Sequence, residues 1–175
     1  KYLCIINQAD APELDIHDVS TFLQHLLERI DWSCDLHFQT KTTIDTLDYS
    51  GQGFNQGSKV VMAANGPPRR ILAKSVPADF PSSPQVHSVR LAMPGVLVLQ
   101  ASQSAQGAGE DSLLNWLHSL PSELDCWKQI PLLVLVDDAF FASSNTRNFL
   151  WVTFTRSNPA TDIHGVGEFI ENKHW

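Results

Sequence analysis

The stretch from Pro131 to Gly165, PLLVLVDDAFFASSNTRNFLWVTFTRSNPATDIHG, constrains the fold more than any other part of the chain. It opens with an aliphatic run, Leu132 to Val136, and breaks into two adjacent carboxylates, Asp137 and Asp138. A strand apolar on both faces must be covered on both. When it delivers acids at its C-terminal end, it does what open α/β sheets do to bring polar groups to a ligand crevice. The run is therefore expected to be the central strand of a sheet. Leu150 to Thr155 (LWVTFT) is rich in β-branched and aromatic residues and reads as a second strand. It stops at Arg156, Asn158, Pro159 and Asp162.

The remaining chain fits the same class. Tyr2 to Asn7 reads as a first buried strand. Val19 to Ile30 is the clearest helix, with Phe22, Leu23, Leu26, Leu27 and Ile30 on one stripe, Asp18 as N-cap and His25 on the polar side. Leu36 to Thr40 alternates as a strand should. Strand, helix, strand in that order predicts a βαβ unit with parallel pairing. Lys41 to Gly57 reads as a loop, Val60 to Ala64 as a short strand, and Gly66-Pro67-Pro68 as a turn. Ser75 to Ser88, holding Pro77, Pro81 and Pro84, is expected to be irregular. Val96 to Leu99 is a buried strand after the Pro94-Gly95 turn signal. Ser102 to Gly109 is a polar loop, and Glu110 to Leu120 a second amphipathic helix stopped by Pro121. No internal repeat is visible. The expected fold is α/β, a mixed and largely parallel sheet flanked by helices, in one domain over residues 1–175.

Composition narrows function by exclusion. A net charge of −7 with scattered basic residues, Arg69-Arg70 being the one adjacent pair, argues against nucleic acid and against an anionic membrane. No apolar run approaches the roughly 20 residues of a membrane span. Cys4, Cys34 and Cys126 show no CxxC spacing, so a reduced, cytoplasmic setting is expected. Only 18% of residues are charged, below the usual quarter, which hints that part of the surface is covered. No signal peptide is apparent, and the chain looks excised from something longer.

The candidate groups divide between chemistry and scaffolding. Asp137 and Asp138 could hold a metal or act as acid and base, but neighbours on an extended chain point to opposite faces. The structural reading, one Asp capping a turn or pairing with an arginine, is preferred. Arg156 could present its fork to a carboxylate or phosphate. The preferred reading is a buried ion pair with Asp137, Asp138 or Asp162, whose loss would cost about 3–5 kcal/mol. Gly51-x-Gly53-Phe54-Asn55-x-Gly57-Ser58-Lys59 lacks the order and the following helix of a phosphate loop. His164 and His174 flank Glu168, yet no histidine pair has the spacing of a zinc site, so no metal site is expected. No nucleophile elbow and no activated cysteine is present.

The block from Val134 to Asp162 resembles the C-terminal domain of UbiD-type decarboxylases. There a V-x-D-D strand end precedes a W-x-x-x-T-R-x-x-P-A-x-D element, matched here by Asp137, Asp138, Trp151, Thr155, Arg156, Pro159 and Asp162. Asp45 to Lys59 also resembles a D-x-L-D…G-S-K segment of that family, although in its shorter members that segment follows the T-R-x-x-P-A-x-D block. The resemblance implies an enzyme that decarboxylates aromatic or α,β-unsaturated acids with prenylated FMN and a metal ion. It places the flavin, the metal and a catalytic Glu-Arg-Glu set in an N-terminal split-barrel domain. Nothing in this chain matches that set, so no catalytic or cofactor-binding residue is expected here. The implied partners are the protein's own N-terminal flavin domain and further copies in a homo-oligomer, and the implied role is to cap the substrate pocket. Phe140, Phe154, Thr155 and Arg156 are the pocket candidates. The rival reading is an α/β interaction module with no part in a pocket, presenting an apolar patch around Trp151 or Trp175.

Overall fold

A computed structural model describes residues 1–51, 53–101 and 109–166. The α/β class holds, but the strands form two mixed three-stranded sheets rather than one. In the first sheet, β3 (Gln56–Ala64) is central. It runs parallel to β1 (Tyr2–Ile6) and antiparallel to β2 (Leu36–Thr43). Helix α1 (Val19–Arg29) therefore does not connect parallel neighbours. The chain leaves it through a tight turn at Asp31–Asp35 and builds the β2–β3 hairpin, and β3 takes the place beside β1 that a βαβ crossover would have given to β2. The loop expected from Lys41 to Gly57 is shorter, since β2 reaches Thr43 and β3 begins at Gln56.

The second sheet has β5 (Val96–Ala101) at its centre. It pairs antiparallel with β4 (Val86–Met93) and parallel with β6 (Leu132–Val136). β4 went unread in the sequence because it emerges from the proline-rich stretch. The β4–β5 turn needs Gly95, which has φ +76, and a Cβ there would lie 2.6 Å from Leu72. Leu132–Val136 is thus an edge strand, not the central one. The expectation that both its faces are covered does hold: Leu132, Val134 and Val136 join one core cluster, and Leu133 and Leu135 join another. The first cluster takes the inner faces of both sheets together with α1, α4 (Thr146–Thr155) and α3 (Ala139–Ser143). The second lies on the outer face of the second sheet, under α2 (Gly109–Ser119), with Leu97, Leu99 and Leu117 buried there. Each such fully buried aliphatic side chain contributes about 1.5–3 kcal/mol.

Leu150–Thr155, read as a strand, is the C-terminal half of α4. Asn145 caps that helix, accepting from the Asn148 amide. Phe149, Leu150, Val152 and Phe154 follow a three- and four-residue spacing that seats them on the first cluster. Tertiary burial outweighs a local β preference worth at most about 1 kcal/mol. His25 also departs from its expected polar face: it is buried in α1, and its Nε2 has no hydrogen-bond partner in the protein. Burial and the Arg29 charge hold its pKa below the usual value. The loop expected at Ser102–Gly109 lies, apart from Gly109, outside the described residues, as do Glu168, His174 and Trp175.

The structure also contains the repeat that the sequence concealed. β1–α1–turn and β6–α4–turn are two versions of one unit, Tyr2–His37 and Leu132–His164. From the helix caps onward they align without a gap. Phe22, Leu23, Arg29, Asp35 and His37 face the same residue types at Phe149, Leu150, Arg156, Asp162 and His164. The hydrogen bonds repeat as well. Asp18 and Asn145 accept from Thr21 and Asn148 amides, and Asp35 and Asp162 accept from Asp31 and Asn158 amides at 2.8 and 2.7 Å. The two edge strands share a side-chain register: Tyr2, Cys4 and Ile6, like Leu132, Val134 and Val136, face the first cluster. Their low identity and a difference in loop length before each helix hide the duplication from a periodicity reading.

Candidate functional site

The C-terminal end of β6 carries the two adjacent carboxylates. Asp138 has extended backbone and caps α3, its Oδ1 accepting from the Phe141 amide at 2.9 Å. Asp137 points the other way into solvent, so the two carboxylates do not share a ligand. Of the two, Asp138 is the one that caps a turn. Arg156 stands 3.8 Å from Asp137, but both side chains are more than half exposed. The buried ion pair expected here is therefore a loose surface pair, and such pairs are worth about 0–1 kcal/mol.

What organises Arg156 instead is an aromatic face. Its guanidinium lies 4.5 Å from the Trp151 ring centroid, and Trp151 meets Phe141 edge-on. A second stack sits beside it: Arg90 lies over the Phe140 ring at 5.2 Å and donates to the Ser143 hydroxyl at 3.0 Å. Phe140 is 68% exposed and Trp151 49%. The α3–α4 surface thus presents two guanidinium–aromatic stacks. Two shallow clefts open elsewhere, one between Ser82–Gln85 and α2, the other at Arg69, Arg70 and Trp127.

The other pocket candidates are scaffold. Phe154 packs inward, with its ring centroid 4.9 Å from that of Tyr2 and 6.2 Å from that of Phe149. Thr155 turns its hydroxyl back to the Trp151 carbonyl. Pro159 is buried at the first position of α5 (Pro159–Asp162), where its missing amide donor costs nothing. Asp162 closes that turn by accepting from the Asn158 amide.

The two segments that carried the sequence resemblance meet in space, which the sequence did not reveal. Ser58, in the G-S-K segment, is 1% exposed; it donates to Asn158 Oδ1 and accepts from the Ala160 amide at 2.8 Å. Tyr2 and Ser157 share a hydroxyl–hydroxyl bond, and Ser157 donates to the Thr153 carbonyl. Lys1 Nζ reaches the Asp48 carboxylate, the Ser50 hydroxyl and the Thr155 carbonyl. Partial burial raises the Asp48 pKa, yet hydrogen bonds from Ser50 and Lys1 outweigh it and hold the carboxyl below its usual value. Burial pushes the Tyr2 phenol up. The sequence carried no signal for this clasp, since Ser58 lies between the loop expected to Gly57 and the strand expected from Val60. Among the described residues, no group of three or more His, Cys, Asp or Glu side chains could hold a metal ion, and no helix is long and apolar enough to cross a membrane.

Residues 1–64 match the family described as 3-octaprenyl-4-hydroxybenzoate carboxy-lyase C-terminal domain. An uncharacterized protein of Chlamydia trachomatis serovar D is 38% identical over 164 residues, covering 94% of this chain and 26% of its own. A Chlamydia pneumoniae protein, named as one of the subunits of 4-hydroxybenzoate decarboxylase, is 33% identical over 169 residues, covering 95% and 26%. The chain spans about a quarter of the length of the curated relatives it matches. No solved structure matches it. The matched family region coincides with the first unit and its β2–β3 hairpin, and the second unit repeats that unit's turn. Residues 1–64 therefore carry the sequence of a UbiD carboxy-lyase C-terminal domain, and most of the chain is similar to part of a much longer protein named as a decarboxylase subunit.

Proposed function

We propose that this chain caps the substrate pocket of a prenylated-FMN-dependent carboxy-lyase acting on an aromatic or α,β-unsaturated acid. The observation that carries the reading is the exposed α3–α4 surface, where Phe140 and Trp151 are held flat by Arg90 and Arg156. Rigid rings close a pocket at small entropic cost and exclude water, and guanidinium groups attract a carboxylate on its way in. The flavin and its metal belong, on this reading, to the N-terminal domain. The donor sets described above do not fit either group, so no step of the reaction is assigned to this chain. Its own residues orient and desolvate.

The test is steady-state kinetics of the full-length enzyme carrying Phe140→Ala or Arg90→Ala. A rise in KM or a fall in kcat/KM of roughly tenfold, with the oligomeric state unchanged, supports capping. If activity falls only together with oligomer dissociation, the surface is an interaction module instead. Decarboxylation by the isolated 175-residue chain supplied with flavin would sink the division of labour.

A further inference from the structure

The duplication shows an unfilled place. In the second sheet, Leu133 and Leu135 of β6 and Leu97 and Leu99 of β5 form the outer face, and they pack against Trp116, Leu117 and Leu120 at the end of α2. The pairing registers make Leu3, Ile5, Val61 and Ala63 their equivalents in the first sheet: Tyr2 pairs with Val60 as Leu132 pairs with Val96. There, no described helix lies over the same apolar positions. Leu3 is 54% exposed and Ile5 45%, and none of the four belongs to a core cluster. A parallel strand pair, aliphatic on both faces, is normally covered on both.

We propose that this outer face is the docking site of an amphipathic helix that precedes Lys1 in the longer protein, in the position α2 holds on the second sheet. Three observations select that occupant over others. α2 is the last α-helix before β6, separated from it by a short 3-10 turn at Asp125–Lys128, so its counterpart comes shortly before β1. The region between β1 and β3 is already used for α1 and β2, and α1 packs on the inner side. The curated relatives are about four times as long as this chain, and a protein of that length has sequence to supply such a helix. The stripe it must fill is narrow. β2 contributes His37 opposite Val61, where β4 contributes Leu91 opposite the equivalent Leu97, and the next outward residue of β2, Gln39, lies opposite Lys59. The helix therefore carries aliphatic residues over β1 and β3 and polar ones, carboxylates suiting Lys59, toward β2.

This inference rests on the duplication and not on the decarboxylase reading. It is tested in the full-length protein by placing the photo-crosslinking residue p-benzoylphenylalanine at position 3, with position 47, where Leu47 is 78% exposed, as control. The expected product has the mass of one chain and joins position 3 to a peptide upstream of Lys1. A product of doubled mass assigns the face to a second copy and overturns the proposal, as does crosslinking no better than at position 47. A smaller probe guards against the bulk of that residue. Ile5→Cys in the full-length protein should react with a maleimide at least about tenfold more slowly than Leu47→Cys, because a docked segment must open first. Equal rates overturn the proposal. Catalytic activity enters neither readout.

Discussion

Arg29 and Arg156 occupy the same place in the two units, one position past the equivalent helical residues Glu28 and Thr155, yet they live in different surroundings. Arg29 is 8% exposed and donates to the Gly66 carbonyl, the His25 carbonyl and the Glu28 carboxylate. Arg156 lies on a tryptophan in solvent. The first unit is followed by its hairpin, and the Gly66 turn folds back on the end of α1, where Arg70 also caps the Leu27 and Ile30 carbonyls. No described segment does the same for the second unit. One framework thus yields a sealed helix end in one place and an open lip in the other. The difference lies in what the chain lays over it, not in the unit itself.

The largest effect expected from that asymmetry is in the cores of the two helices. Phe149 is 1% exposed, while its equivalent Phe22 is only partly buried. Phe149→Ala should destabilise by about 3–5 kcal/mol, through lost transfer energy plus a cavity. Phe22→Ala should cost clearly less. Urea unfolding of both variants checks this, and equal losses would mean that the units are more alike in packing than their burial indicates.

Helices α1 and α2 and the β6 strand were legible because burial imposes a period, and α2 ends within a residue of its expected limits. Leu150–Thr155 was not, because β-branched and aromatic residues satisfy a strand pattern locally while their burial partners, such as Tyr2, lie far away in sequence. The sheet arrangement was equally hidden: whether β2 or β3 lies beside β1 depends on a hairpin, not on the strands' own composition. At the site, adjacency alone indicated that Asp137 and Asp138 do not share a ligand, but not which of them caps a turn. The burial of Arg156 could not be judged, since a T-R-x-x-P turn reads the same whether or not another segment covers it. The duplication escaped because five shared residue types spread over a helix and a turn make no visible period.

The clasp between Ser58 and Asn158 has no second version, because the position equivalent to Ser58 on β5 falls at Pro94 in the hairpin turn. Ser58→Ala should therefore cost roughly 1–3 kcal/mol, leaving a buried amide oxygen and the Ala160 N–H unpaired. Combined with Asn158→Ala the loss should fall short of the sum, since both changes remove one interaction. Strict additivity in a double-mutant cycle would show that the two segments are not coupled.

Asp48 gives a smaller effect with a defined pH signature. Its folded pKa is lowered, so the stability it supplies is fully present above the unfolded carboxylate pKa, about 3.9, and is lost as pH falls through the folded value. Asp48→Asn should leave the acid limb of a stability-versus-pH curve flatter below about pH 4. It should remove no more than about 1 kcal/mol at neutral pH, the usual range for a pair near the surface. An unchanged acid limb would mean that the bonds from Lys1 and Ser50 do not favour the ionised form.

Arg156→Ala should be the mildest of all, within about 0.5 kcal/mol, despite standing in the most recognisable motif of the chain. Its pair with Asp137 is long and solvated, so what little it contributes comes from contact with the Trp151 face. Salt separates the two terms: raising ionic strength to about 1 M shortens the screening length to about 3 Å and removes the pair, while leaving ring contact largely intact. Wild type and Asp137→Asn should therefore converge in stability at high salt, whereas Arg156→Ala keeps a small deficit. A large, salt-insensitive loss on Arg156→Ala would mean that the second unit's helix end is covered after all, and the contrast with Arg29 would vanish.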